Sequence, residues 1–525
     1  MRGELDVKKV EETKMSFKDT RRTLLKGAGA SIATLALAQY GRAALAADKD
    51  TVAIAWPSDV PSWDPQQRLV PDAQSIYKAV FDQPIEQSVS MALRPHVAKA
   101  WNLSADGKTL ELEFRDDVLW HDGSKFTAAD FRFGWFERVQ RKDAIDLARV
   151  WNEVTDIQVV SPTRAVVRMS QAKPTALQWL AFMGNFVVPK DYMEKVGLDG
   201  FREKPIGSGP YRLAEYQLNS RIVLERNDQY WGPKPQARRV IIEIVKDPSA
   251  RVAAIQSGKV DLALNLPVRE VDRLSKTAGL SGEFNPIPRL ILMHARNDMG
   301  FADENVRLAA HHAIDKQALS KAFYNGTAVP LSMVSTPGTP AFDPGFKFAY
   351  DPKLSLALLA KAGFTPSKPL KIKLATTNGN FPGDFDIARA IAAMWKKVGI
   401  DAEVDVIEYA KYFELNRGRK LPEATIYSWD NATGDPEIFT GYLLNPKKPF
   451  TPWRGEEEGK RVLALESVVD YDKRVAGYRD FEKYAVEHGA TIPLLQSVQT
   501  LLRKRDLQYQ KYRSGIVYFQ SLAWK

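Results

Sequence analysis

Cysteine is absent from all 525 residues of the chain. That excludes disulfides, thiolate nucleophiles, cysteine metal sites and a lipid-bearing thiol at a processed N-terminus. Histidine is sparse, with six in all, and no His-Glu-x-x-His pair, Gly-x-Ser-x-Gly elbow or Gly-rich lysine loop occurs. The usual routes to metal-assisted hydrolysis, acyl transfer and nucleotide binding are therefore missing. The chain reads as a non-enzyme, with no cofactor, no catalytic residues and no metal site of its own. Nor is there an apolar run of the ~20 residues needed to cross a bilayer. The formal charge is +10, but the basic residues are spread along the chain instead of gathered on one face, which argues against nucleic acid as a partner.

What is present begins with an address. Thr20-Arg21-Arg22-Thr23-Leu24-Leu25-Lys26 fits a twin-arginine export signal, followed by a weakly apolar stretch from Gly27 to Tyr40 and a small-residue cut at Ala44-Leu45-Ala46. Residues 1–46 are expected to be removed after passage through the twin-arginine export machinery. Met15 lies five residues before Thr20 and is an alternative start. With no thiol for a lipid, the product is expected to be free in the periplasm, not anchored, and monomeric.

The remaining length is enough for two or three lobes. Within it, Trp101 and Leu103, then Leu110, Leu112 and Phe114, alternate about an Asp106-Gly107 turn, the pattern of a hairpin with one buried face. Thr127 and Asp130 have capping-box spacing, and Phe131, Trp135 and Val139 follow at i, i+4 and i+8, so a helix is expected there. Glu153 to Met169 reads as a second hairpin turned by Ser161-Pro162-Thr163. Arg239 to Val245 is a strand, Asp247-Pro248 caps a helix that Gly258 ends, and Val260 to Leu264 is a strand again. Further on, a helix through Ile387, Ile391 and Trp395 stops at Gly399, before the alternating strand Ile400 to Val406. The class is α/β.

Several short words stand in fixed order along this body: Ala-x-x-Trp at Ala98, Asp-Gly-Lys-Thr at Asp106, Trp-His-Asp-Gly at Trp120, Phe-Thr-Ala-x-Asp at Phe126, Gly-Ser-Gly-Pro-Tyr at Gly207, and Ala-Ile-Asp at Ala313. Together they resemble the family 5 solute-binding proteins of peptide-type ABC importers. The resemblance implies a two-lobed periplasmic-binding-protein fold (cluster C type) with an extra subdomain in the first lobe. Its expected segments are 47–92 of lobe I, 93–200 as the inserted subdomain, 201–288 of lobe I, 289–492 as lobe II, and 493–525 returning to lobe I. It also implies an inner-membrane ABC permease complex as partner, and a small-molecule or short-peptide ligand held between closing lobes.

The ligand residues expected on the same ground are Trp429, Asp430, Asn431, Asn378 and Trp63, the last within the Ser62-Trp63-Asp64-Pro65 turn. Peptide-binding relatives carry an Asp three residues after the Trp that pairs with the peptide ammonium; here Ala432 stands there. The arginine that dipeptide binders place before the helix holding Trp395 is also missing, since no Arg lies between Leu370 and Asp386. A zwitterionic dipeptide is thus disfavoured, leaving longer peptides, or as alternatives an oligosaccharide, opine or metal chelate.

Overall fold

The computed structural model describes residues 50–525 apart from 142–144, 379, 432, 449–450 and 452. The expected signal segment and Ala432 lie outside the described residues. Ten strands make one sheet: β1 (Thr51–Trp56), β2 (Tyr211–Gln217), β3 (Arg221–Arg226), β4 (Arg239–Ile244), β5 (Leu262–Leu264), β6 (Leu280–Ala295), β7 (Leu370–Thr376), β8 (Ile400–Val406), β9 (Ala424–Asp430) and β10 (Ile492–Lys504). Their spatial order is β8-β7-β9-β6-β10-β5-β1-β4-β3-β2.

β4, the helix Pro248–Gln256 and β5 follow one another as expected from sequence, but both strands pair in parallel with β1, one on each side of it. Asp247 caps the intervening helix through its carboxylate.

Two strands are long for a reason of topology. β6 spans 16 residues and β10 spans 13, and they pair antiparallel along most of their length. Leu280 to Pro286 faces Lys504 to Val498, whereas Leu290 to Met293 faces Gln496 to Ile492. Between these stretches the register shifts, where Pro286 and Pro288 cannot donate to a ladder. On one side of the shift β10 joins β5 and the first half of the sheet; on the other β6 joins β9, and β7 and β8 lie beyond. The chain therefore crosses between two halves on a pair of bonded strands.

A separate antiparallel sheet of four strands orders Ala98–Leu103, Thr109–Phe114, Arg164–Met169 and Val154–Ser161. Both expected hairpins are here, and the Thr127–Asp130 capping box forms with both reciprocal bonds. The helix it starts contains a π-turn at Phe133–Glu137, which sequence spacing alone did not indicate. Phe131, Trp135 and Val139 enter the core of this subdomain together with Trp151 and Phe114.

The subdomain is tied to the first half by Arg138, whose guanidinium donates to Asp64 at 2.5 and 3.2 Å and to Gln66 at 2.8 Å, with Arg138 and Asp64 fully buried. His121 makes a second tie. Gly207 donates its N–H to His121 Nδ1 at 3.1 Å, and Nε2 lies 3.1 Å from the Gly209 carbonyl. The glycines let this segment lie on the end of helix Gln74–Val80: a Cβ at Gly209 would stand 2.6 Å from the Val80 carbonyl carbon. The Trp-His-Asp-Gly and Gly-Ser-Gly-Pro-Tyr words are thus two sides of one contact. No helix among the described residues is long and apolar enough to cross a membrane.

Candidate functional site

β9 presents Tyr427 and Trp429 two residues apart, hence on one face of the strand. Tyr412 stacks on Tyr427 at 4.3 Å, and the Trp429 indole donates to the Ile438 carbonyl at 3.0 Å, so both rings are held from behind. Tyr442 lies 6.4 Å from Trp429, and Trp179 of the four-stranded subdomain lies 6.2 Å from Tyr442. Tyr427, Trp429, Tyr442 and Trp179 form a run from the second half of the molecule to the inserted subdomain.

They line a cavity of about 560 Å³, whose walls come from residues 69–71 and 146–183 on one side and from residues 289–466 on the other. That volume falls within the range of small-molecule sites. A recess of about 70 Å³ adjoins it beside the crossing strands, at Trp56, Ile287 and Val498, and shares Pro71, Arg289, Asn380 and Asp430 with it.

The carboxylates around the larger cavity are paired. Arg289 donates from Nε and an amino nitrogen to Asp430 Oδ2 at 3.2 and 3.0 Å. Arg149 lies 3.2 Å from Asp146, Lys173 lies 3.5 Å from Glu153, and Lys448 lies 3.5 Å from Glu466. Every described carboxylate lining the cavity therefore has a basic partner within the protein. Beside the cavity, burial raises the Glu437 carboxyl above its ordinary range, an effect that Lys173 and Lys448 oppose. The described residues contain no cluster of histidine and carboxylate groups fit to hold a metal ion.

Of the five residues expected from sequence, the structure brings Trp429 and Asp430 to the cavity. Asn431 is fully buried, its backbone N–H bonded to the Pro288 carbonyl at 2.7 Å and its side-chain oxygen to the Thr433 hydroxyl at 2.7 Å. Trp63 is buried in the core of the first half, edge-on to Tyr216 at 5.5 Å. Asn378 is exposed, and the neighbouring wall position is held by Asn380. Sequence reasoning did not find Trp179, Tyr442 or Arg289. Trp179 sits in a short apolar helix, Ala176–Leu180, that looks like core, and Arg289 is distinguished only by the two prolines before it.

Residues 92–450 match the family described as Bacterial extracellular solute-binding proteins, family 5 Middle. The chain belongs to this family. Among curated relatives of this family 5 solute-binding protein, it is 27% identical to the nickel-binding periplasmic protein of Escherichia coli, over 88% of this chain and 92% of that one. It is 25% identical to the dipeptide-binding protein of the same organism, over 73% and 77%. Solved structures agree on the two-lobed fold. The periplasmic binding protein DppA from Helicobacter pylori, in complex with the peptide STSA, superposes with a TM-score of 0.81 at 20% identity, over 90% of this chain and 98% of that one. NikZ from Campylobacter jejuni, in complex with Ni(L-His), gives 0.81 at 22% identity, over 91% and 100%.

Proposed function

We propose that this family 5 protein is the solute-capturing component of an ABC importer of the peptide/oligopeptide type. The observation that carries the reading is the aromatic run from Tyr427 to Trp179, which reaches from one half of the molecule to the other around one cavity. A ligand lying on it touches both halves only when they are closed, so it stabilises that form by differential affinity. A membrane permease then receives the closed form. The crossing strands β6 and β10, broken in register beside the recess, are the natural place for the halves to pivot. The segment limits given by the sequence, export by the twin-arginine route, release of the mature chain into the periplasm and a monomeric state belong to the same reading.

The paired carboxylates of the wall favour a second reading of the ligand, a non-peptide solute such as an oligosaccharide, an opine or a metal chelate. A chelate would bring its own donor atoms, and nickel-binding relatives share the scaffold. Thermal-shift screening against free peptides, oligosaccharides, opines and nickel–histidine separates these, because a ligand that binds the native state raises the melting temperature by mass action. Turnover of any of these compounds would contradict the reading.

A further inference from the structure

We infer that Lys447 is the anchor for a carboxylate on the ligand, so that the captured solute is one with an anionic end. The inference rests on the capture reading above and names its substrate class.

The balance of charge around the cavity points this way. Four carboxylates line it, Asp146, Glu153, Asp430 and Glu466, and so do four basic residues, Arg149, Arg289, Lys447 and Lys448. Two more cations stand against these carboxylates, since Arg68 lies 3.7 Å from Asp146 and Lys173 lies 3.5 Å from Glu153. Even with the buried Glu437 counted as a full charge, six basic groups face five acidic ones. Low-dielectric walls focus such an excess on whatever enters between them. It favours an anion and opposes a further cation.

The engagements of the lining cations single out one of them. Arg149 and Arg289 lie against Asp146 and Asp430. Lys448 is engaged twice, 3.5 Å from Glu466 and with its ammonium 4.9 Å from the centre of the Tyr442 ring. Lys447 forms no ion pair among the described residues.

The turn that carries Lys447 is built into the wall. The side-chain oxygen of the fully buried Asn445 accepts the Lys447 N–H at 2.9 Å, and its carbonyl accepts the Lys448 N–H at 3.0 Å. The Asn445 amide donates in turn to Glu466 at 2.9 Å, and Arg419 donates to the Pro446 carbonyl at 2.8 Å. The backbone of the lysine is therefore fixed, while its exposed four-carbon stem keeps the freedom to follow a ligand oxygen. Neither Lys447 nor Lys448 lines the recess beside the crossing strands. A solute with its body on Trp429 and Tyr442 and a carboxylate at the end away from the recess meets these demands. An N-blocked peptide acid, an opine and a sugar acid all carry that group.

The test is calorimetric titration of the purified protein with two pairs of probes, each differing by one carboxylate: N-acetyl-alanyl-phenylalanyl-alanine against its C-terminal amide, and maltotrionic acid against maltotriose. In the pair that binds more tightly, the acid should exceed its neutral partner at least tenfold in affinity at low salt. Added salt should narrow the ratio, because an exposed charge is screened. Lys447→Gln should cut the ratio at least fivefold, and Lys447→Arg should keep it. A ratio of one, or one favouring the neutral partner, overturns the inference, as does a ratio that Lys447→Gln leaves unchanged. If that variant does not fold, the ratio in the parent and its salt dependence decide. Replacement of Trp179 and Trp429 together by Ala tells the two claims apart. Binding abolished by it, with no preference for the acid in the parent, sinks the anion rule and leaves capture standing. Binding that survives it sinks capture, and no heat with any of the probes at millimolar concentration counts against both.

Discussion

The Thr175 hydroxyl donates to the Glu437 carboxylate at 3.1 Å, joining the inserted subdomain to the second half of the molecule without passing through the crossing strands. Gln87 donates to the Thr433 carbonyl nearby at 3.3 Å. Glu437 is buried, and a hydrogen bond to such a group contributes ~1.5–3 kcal/mol. Thr175→Val is therefore expected to weaken the tightest-binding probe roughly tenfold or more, since 1.4 kcal/mol is about one decade. Small-angle scattering of the ligand-free variant should show a larger radius of gyration than the parent. An unchanged affinity and radius would mean that this bond does not hold the halves together.

Trp429 has two duties that substitution can separate. Its ring face lines the cavity, and its N–H satisfies the Ile438 carbonyl. Trp429→Phe keeps an aromatic face and loses the donor, so urea unfolding should show a loss of about 1 kcal/mol with affinity changed little. Trp429→Ala removes both, and titration should show at least a tenfold loss of affinity. If Trp429→Ala binds like the parent, the cavity wall has been assigned to the wrong residues.

Asp64 and Arg138 pair with no exposed surface on either side chain. Removing one partner breaks a buried ion pair, at a cost of about 3–5 kcal/mol. Urea denaturation should show Asp64→Asn destabilised by that order, and an apolar double replacement, Asp64→Leu with Arg138→Met, should recover much of it. Equal losses in the single and double variants would assign the effect to lost packing instead of the broken ion pair.

His121 gives a pH dependence with a definite sign. Burial lowers its pKa from 6.5 to about 4, with the nearby Arg212 adding to the shift and the bond to the Gly209 carbonyl opposing it. The Gly207 N–H points at Nδ1, so a proton there would break that bond. Because the folded value lies below the unfolded one, the stabilisation is present above pH 6.5 and is lost as pH falls from 6.5 through 4. At 1.36 kcal/mol per unit this is about 3 kcal/mol. Gln has an acceptor and a donor that fit the same two partners and does not titrate. Unfolding free energies measured from pH 7.5 to 4 should therefore fall by roughly that amount more in the parent than in His121→Gln. Parallel curves would show that His121 does not carry the dependence.

Local signals along the chain determined the class and most elements of this protein. Alternation about Asp106-Gly107, the Thr127–Asp130 cap and the β-α-β run through Asp247-Pro248 are patterns whose physics is contained in a few neighbouring residues. Trp429 and Asp430, expected from the family resemblance, lie together in one short stretch and both line the cavity. The tertiary structure decided what depends on distant partners. It turned Asn431 and Trp63 into buried supports and put Asn380 where Asn378 was expected. It also carried Trp179 and Tyr442 to the same wall. Above all it set Arg289 against Asp430, 141 residues apart in the chain. A sequence shows that a carboxylate is present, but only the folded sheet shows that its charge is already matched, because register across β6 and β9 is settled by burial and pairing over the whole ladder.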